Sequence, residues 1–243
     1  MIHRSLLFVL CAILLCAGPA LARRSASSAA AKRIARAFER HYQHTRSLAG
    51  VFLETYTSGG SGIVAESGKV YFEKPGRMRW DYDSPEKKMF LVSGKTVWYY
   101  VPADHTASRT SVKQSDDWRT PLALLAGKAN LERFCGALTL AGNTGAPAKG
   151  VASAEEQPSA PGNSVLVCRP RKQDADAFTK VLLELNPHHQ LVRLSIFQPG
   201  DIHMEFRFGD WHENVPIPAA KFNFEPPRGV AIVNDAQLAG KVQ

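Results

Sequence analysis

Long hydrophobic runs are scarce in this chain of 243 residues. The one conspicuous run, Leu6 to Ala17, is shorter than the roughly 20 residues a membrane-spanning helix needs. Cysteine is scarce too, with 4 in the whole sequence, and neither C-x-x-C nor H-E-x-x-H occurs. The histidine pairs that resemble metal spacing, His41-x-x-His44 and His188-His189, have no further ligands nearby, so a metal site is not expected. No G-x-S-x-G elbow, phosphate-cradling glycine loop or S-x-x-K stands in a supporting context. Asp201, His203 and Glu205 alternate along one strand face and are the only constellation suggesting a hydrolase. They read more simply as the water side of a half-buried strand. No enzyme activity and no cofactor are expected. No repeat with a period of 20 to 50 residues is visible, which excludes a solenoid or propeller.

What is present begins with an export leader. Arg4, the Leu6–Ala17 run and the small-x-small site Ala20-Leu21-Ala22 form a secretory signal peptide, residues 1–22, with cleavage expected after Ala22. Neither Cys11 nor Cys16 follows small residues as a lipoprotein signal would require, so the mature chain, residues 23–243, is expected to be unanchored and periplasmic. Removing Arg4 leaves 29 Lys and Arg against 22 Asp and Glu, an excess of +7. A basic surface suits anionic lipid or an acidic partner, and export makes nucleic acid an unsuitable one. Cys135 and Cys168 remain, both in apolar strand-like surroundings. In an oxidising compartment they either form a disulfide or stay as two buried thiols.

The pattern after the leader is a helix followed by many short strands. Ile34, Phe38 and Tyr42 recur every fourth residue between Ser28 and Leu48, opposite Arg33, Arg36 and Arg40, which predicts an amphipathic helix. Leu48–Thr57 is the first strand, Ser58–Gly62 a hairpin tip, and Glu66-Ser67-Gly68 a break. Lys69 to Tyr100 then reads as an antiparallel meander of four strands punctuated by Pro75-Gly76, Ser84-Pro85 and Ser93-Gly94. In its second strand Met78, Trp80 and Tyr82 alternate with Arg77, Arg79 and Asp81, so one face is aromatic and the other charged. Ala107–Lys113 is expected at a sheet edge, Thr120-Pro121 as the cap and first turn of a short helix, and residues 142–163 as a flexible insert. Four further strands follow, the last carrying Ile202, Met204, Phe206 and Phe208 on one face.

The meander and the C-terminus carry a family resemblance. K-P-G-R-M-R-W-D-Y, then S-P, then L-V-S-G-K-T-V-W-Y-Y resemble the central meander of the LolA family of periplasmic outer-membrane lipoprotein carriers. Ala219-Ala220-Lys221-Phe222-Asn223-Phe224-Glu225-Pro226-Pro227-Arg228-Gly229-Val230 resembles that family's ending. The resemblance implies an α+β, mainly β fold: an incomplete antiparallel β-barrel with helices forming a lid over a hydrophobic cavity. Its acyl-chain lining would come from Phe52, Tyr71, Met78, Trp80 and Tyr82, together with Phe90, Trp98, Met204, Phe206 and Phe208. The lid would be Leu122, Leu124 and Leu125 facing Ile34 and Phe38. The family's latch arginine before the meander proline is replaced here by Lys74, a point charge instead of a planar fork. The implied partners are acylated lipoproteins, an inner-membrane ABC transporter that releases them and an outer-membrane acceptor, with the carrier a monomer. The same scaffold also suits a periplasmic domain that binds or senses free lipids or glycolipids.

Overall fold

The computed structural model describes residues 18–60, 62–111, 130–141, 154–171 and 178–234. The long helix α1 (Gly18–His44) leads into β1 (Ser47–Ser58), β2 (Val64–Glu73), β3 (Arg77–Ser84), β4 (Lys88–Ser93), β5 (Thr96–Val101) and β6 (Thr106–Ser111). One turn of helix, α2 (Leu131–Phe134), precedes β7 (Ala137–Leu140), and β8 (Ser164–Arg169), β9 (Lys180–Leu185), β10 (Leu191–Gln198), β11 (Ile202–Glu213) and β12 (Ala231–Asn234) complete the chain. All of the strands join one 12-stranded sheet in the order β12-β6-β5-β4-β3-β2-β1-β11-β10-β9-β8-β7. Its ends, β12 and β7, do not pair with each other, so the barrel is open.

The sheet grows by neighbouring hairpins from both sides of a central pair. β1 pairs along its length with β2 and with β11, which makes it the spine. The expected break at Glu66-Ser67-Gly68 is instead part of a continuous β2, and the irregularity lies opposite it, in a β3 bulge at Asp83. The register shifts between Ser67 and Gly68, and a Cβ at Gly68 would lie 1.9 Å from the Asp81 carbonyl oxygen. β6 is not an edge either, because β12 pairs with it in parallel, the one departure from antiparallel pairing among the described residues.

Alternation gives the sheet an inner side, and α1 packs on that side with its closest approach at β7. Ala31, Ala35, Phe38 and Tyr42 of the helix pack with Leu48, Phe52, Val70, Phe72, Trp80, Leu194 and Phe206 in one buried core. The sheet curls towards this inner face. Trp80 on β3 and Phe206 on β11 are three strand spacings apart, about 14 Å if flat, yet their rings meet at 5.5 Å. The outer face carries two smaller clusters. One joins Met89 and Leu91 to Phe222 of the C-terminal segment, and the other joins Val165, Val167 and Leu182.

Residues 154–163 differ from the loose insert expected of them. They are strapped onto the outer face: Ser159 N and Oγ and Asn163 Nδ2 all donate to Glu184 Oε1, and Arg193 Nη2 donates to the Gln157 carbonyl. The composition of the strap is that of a linker, but one buried carboxylate on β9 gathers its polar groups. Residues 142–153 lie outside the described residues.

Candidate functional site

The inner face is aromatic at its centre. Phe52 of β1 meets Trp80 edge-on at 4.7 Å and Tyr82 at 4.9 Å, while Phe206 and Phe208 of β11 approach the same indole at 5.5 and 6.1 Å. Edge-to-face pairs at these separations add attraction beyond the area they bury. Trp80 is 2% exposed, and its Nε1 has no hydrogen-bond partner among the described residues. Trp211, stacked on Phe208 on the same face, differs: its Nε1 donates to the Leu191 carbonyl at 2.7 Å. Gly50 makes room for that ring, since a Cβ there would lie 2.5 Å from it.

Past the aromatic centre the same face turns polar. Glu54 follows Phe52 by two residues on β1 and accepts a 2.8 Å hydrogen bond from the Tyr82 hydroxyl. Glu66 stands opposite Glu54 on β2 and accepts from Lys88 Nζ at 2.5 and 2.6 Å, and that ammonium also lies 4.4 Å over the Tyr82 ring. Burial pushes the Glu54 carboxyl above its usual range, against the lowering effect of the Tyr82 hydrogen bond. Burial and the neighbouring Glu54 charge likewise push the Tyr82 phenol up.

At the opposite end, the C-terminus of α1 is tied to the sheet several times. Lys74 Nζ donates to the Tyr42 carbonyl and, at 3.2 Å, to the Gln43 carbonyl, placing a cation on helix carbonyls that have no intrahelical partner. The Tyr42 hydroxyl accepts from Leu191 N at 3.1 Å, and His41 Nε2 lies 2.8 Å from Glu213 Oε1. Desolvation lowers the Lys74 pKa. Towards its middle, α1 is held to α2 by Glu39, whose carboxylate accepts from Leu131 N at 2.6 Å, and by Arg36, which donates to Glu132.

Most of the lining expected from the sequence meets on the inner face: Phe52, Met78, Trp80, Tyr82, Phe90, Met204, Phe206 and Phe208, with Ile34 and Phe38 of α1 against them. Tyr71 and Trp98 do not. Both face outward, in the cluster of Met89, Leu91 and Phe222, where Lys221 Nζ sits 4.5 Å over the Tyr71 ring and Phe224 meets Trp98 at 5.4 Å. The inner positions of those strands belong to Phe72, Val97 and Tyr99. Leu122, Leu124 and Leu125 lie outside the described residues. Cys135 and Cys168 form a disulfide, with Cα atoms 5.3 Å apart.

The hydrolase triad is not assembled as a triad. Asp201 sits in the β10–β11 turn with a φ of 55°, before β11 begins. Glu205 is taken by Ser195 Oγ at 2.9 Å and Arg207 Nε at 2.7 Å, and the His203 ring stacks on Phe197 at 4.2 Å. Sequence reasoning missed Glu54, although the period-two pattern Phe52, Glu54, Tyr56 places it on the inner face. It also missed the buried pair of Glu184 and Arg193, which nothing in the local pattern distinguishes from ordinary surface charges.

The fold and site together define an open antiparallel sheet, curled around an aromatic face that one long helix covers. The family model described as "Outer membrane lipoprotein carrier protein LolA" matches residues 43–135, which span β1 to β6 and end at α2. Proteins named outer-membrane lipoprotein carrier protein match along most of the chain. The one from Nitrosospira multiformis is 25% identical over 79% of this chain and 84% of its own length, and the one from Chromobacterium violaceum 27% identical over 78% and 82%. A crystal structure of a LolA superfamily protein from Nitrosomonas europaea aligns with 80% of this chain and 97% of that one, at 12% identity and a TM-score of 0.40. The family-model match and the two carrier proteins bear out the resemblance to LolA read from the motifs. No helix among the described residues is long and apolar enough to cross a membrane.

Proposed function

We propose that this chain is a periplasmic carrier that shelters the acyl chains of lipoproteins released from the inner membrane by an ABC transporter and hands them to an outer-membrane acceptor. The observation that carries this reading is the aromatic inner face of the sheet, covered by a separate element, α1, instead of by a second sheet. A helix tied mainly at one end can be displaced, whereas a sandwich cannot part without losing its core. Each acyl methylene removed from water contributes about 0.8 kcal/mol, so a lipoprotein bearing several chains crosses an aqueous space only when something replaces the bilayer around them. A guest under α1 offsets the helix contacts it displaces with its own burial. Net affinity is then moderate, and release to a tighter acceptor gives the transfer its direction.

The reading is tested with Trp80→Glu and Phe206→Glu. Both put a carboxylate into the aromatic centre, and both are expected to abolish retention of acylated proteins in pull-downs from periplasm while non-acylated cargo variants are ignored throughout. Depleting the protein in its native bacterium should leave outer-membrane lipoproteins at the inner membrane. Capture of free lipid alone, with lipoproteins correctly sorted after depletion, would replace the carrier reading with that of a lipid-binding domain.

A further inference from the structure

We infer that the Trp80 indole N–H is a specificity determinant, donating a hydrogen bond to the ester or amide carbonyl at the head of a guest's acyl chain. The inference rests on the carrier reading and assigns the chemistry of that same face. Three observations carry it. Trp80 is 98% removed from water, yet its Nε1 has no acceptor among the described residues. A buried donor without a partner is uncommon, because the lost hydration is not recovered. The fold does supply an acceptor to the partly buried indole on the same face, Trp211, through the Leu191 carbonyl.

The position of the ring is the second link. Along β3 it lies between Met78 on the apolar side and Tyr82, whose hydroxyl opens the polar end with Glu54, Glu66 and Lys88. Phe52 touches both rings, at 4.7 and 4.9 Å, so the indole marks the boundary at which apolar surface gives way to polar groups. In an acylated amphiphile that boundary is where the carbonyl lies, with hydrocarbon on one side and head group on the other. Carbonyl oxygens accept but do not donate, and an indole N–H donates but does not accept, so the two are complementary.

The indole N–H, unpaired among the described residues, is left unpaired by a plain hydrocarbon and satisfied by an acyl guest. That difference selects acyl esters and amides over alkyl chains of equal length.

The test compares two glycerolipid probes with identical saturated chains, one a diacyl ester and one a dialkyl ether, binding the full mature chain by fluorescence displacement. Wild-type protein is expected to prefer the ester by roughly three- to tenfold, the contribution of one hydrogen bond. Trp80→Phe, which keeps an aromatic ring and removes the N–H, should lose the ester preference, so that the ratio of its two affinities falls to about one. In protein labelled with ¹⁵N at the indole nitrogens, the Trp80 side-chain N–H resonance should move downfield with the ester and not with the ether. Equal wild-type affinities, or an ester preference that survives in Trp80→Phe, overturns the inference and leaves the carrier reading standing. Binding of neither probe overturns both. The wild-type comparison decides the matter even if the variant does not fold.

Discussion

Two charged side chains set the behaviour of the inner face. Lys74 stands where the family resemblance places a latch arginine, and its ammonium bonds the last carbonyls of α1. Lys74→Ala should destabilise the protein by about 1 kcal/mol and speed amide exchange in residues 40–44, while exchange at β8 and β9 stays unchanged. Glu54 behaves oppositely to a surface carboxylate. Its folded-state pKa lies above the ordinary 4.5, so the folded chain holds the proton more tightly and ionising it opposes folding. That penalty is absent below 4.5 and grows as pH rises through the folded value. Tyr82, Glu66 and Lys88 are the groups that face it. Chemical denaturation of Glu54→Gln against wild type should therefore give a stability difference that moves in favour of the variant from pH 4 to pH 8; a constant difference would contradict this. At this scale the sequence is informative about which residues are aromatic and less so about which way they face. Val70-Tyr71-Phe72 and Val97-Trp98-Tyr99 are apolar at every position, because the outer face of the meander is itself covered by Phe222 and Phe224. Alternation then allows two assignments, and only pairing with the charged side of β3 separates them.

At the level of elements, the meander was legible because each turn is announced by proline or glycine and each strand by its alternation. The strap over residues 154–163 was not legible, because its order comes from a distant strand. Glu184 is fully buried there and bonds Arg193 Nε at 2.7 Å as well as Ser159 and Asn163. Burial would raise its pKa, but those hydrogen bonds and the Arg193 charge outweigh it and bring the pKa below the usual range. Its contribution to stability is therefore present above 4.5 and lost as pH falls through the lower folded value. Glu184→Gln takes the nearer carboxylate from buried Arg193, leaving Glu205 at 3.8 Å, and should cost about 2 kcal/mol. Limited proteolysis should then cut within residues 154–163 much faster than in wild type, at neutral pH. Equal cleavage rates would show that the strap is held by something else.

For the whole molecule, the sheet is one continuous layer whose two ends are finished differently. The β12 end is a short parallel addition with exposed Ile232 and Val233, whereas the β7 end is stapled by the disulfide from Cys135 to Cys168. The bridge spans 33 residues of chain, including the strap, and restricts the unfolded ensemble by about 3 to 4 kcal/mol on loop-closure grounds. Reduction, or Cys135→Ala with Cys168→Ala, should lower Tm by several degrees while leaving the meander's aromatic circular dichroism intact below the transition. A Tm that did not respond would mean that α1 and α2 alone secure this end. The resemblance to the LolA family and the fold class were readable from motifs in the meander and near the C-terminus, but the order of strands across the sheet, with β1 against β11, required the structure.

Only two residues, Thr45 and Arg46, separate α1 from the central strand β1, and the last turn of the helix is fastened by Lys74, Tyr42 and His41. A door mounted this way swings from its fastened side. On the carrier reading, displacement of α1 is therefore expected to begin in the half remote from Tyr42, once the Arg36–Glu132 and Glu39–Leu131 bonds to α2 have parted.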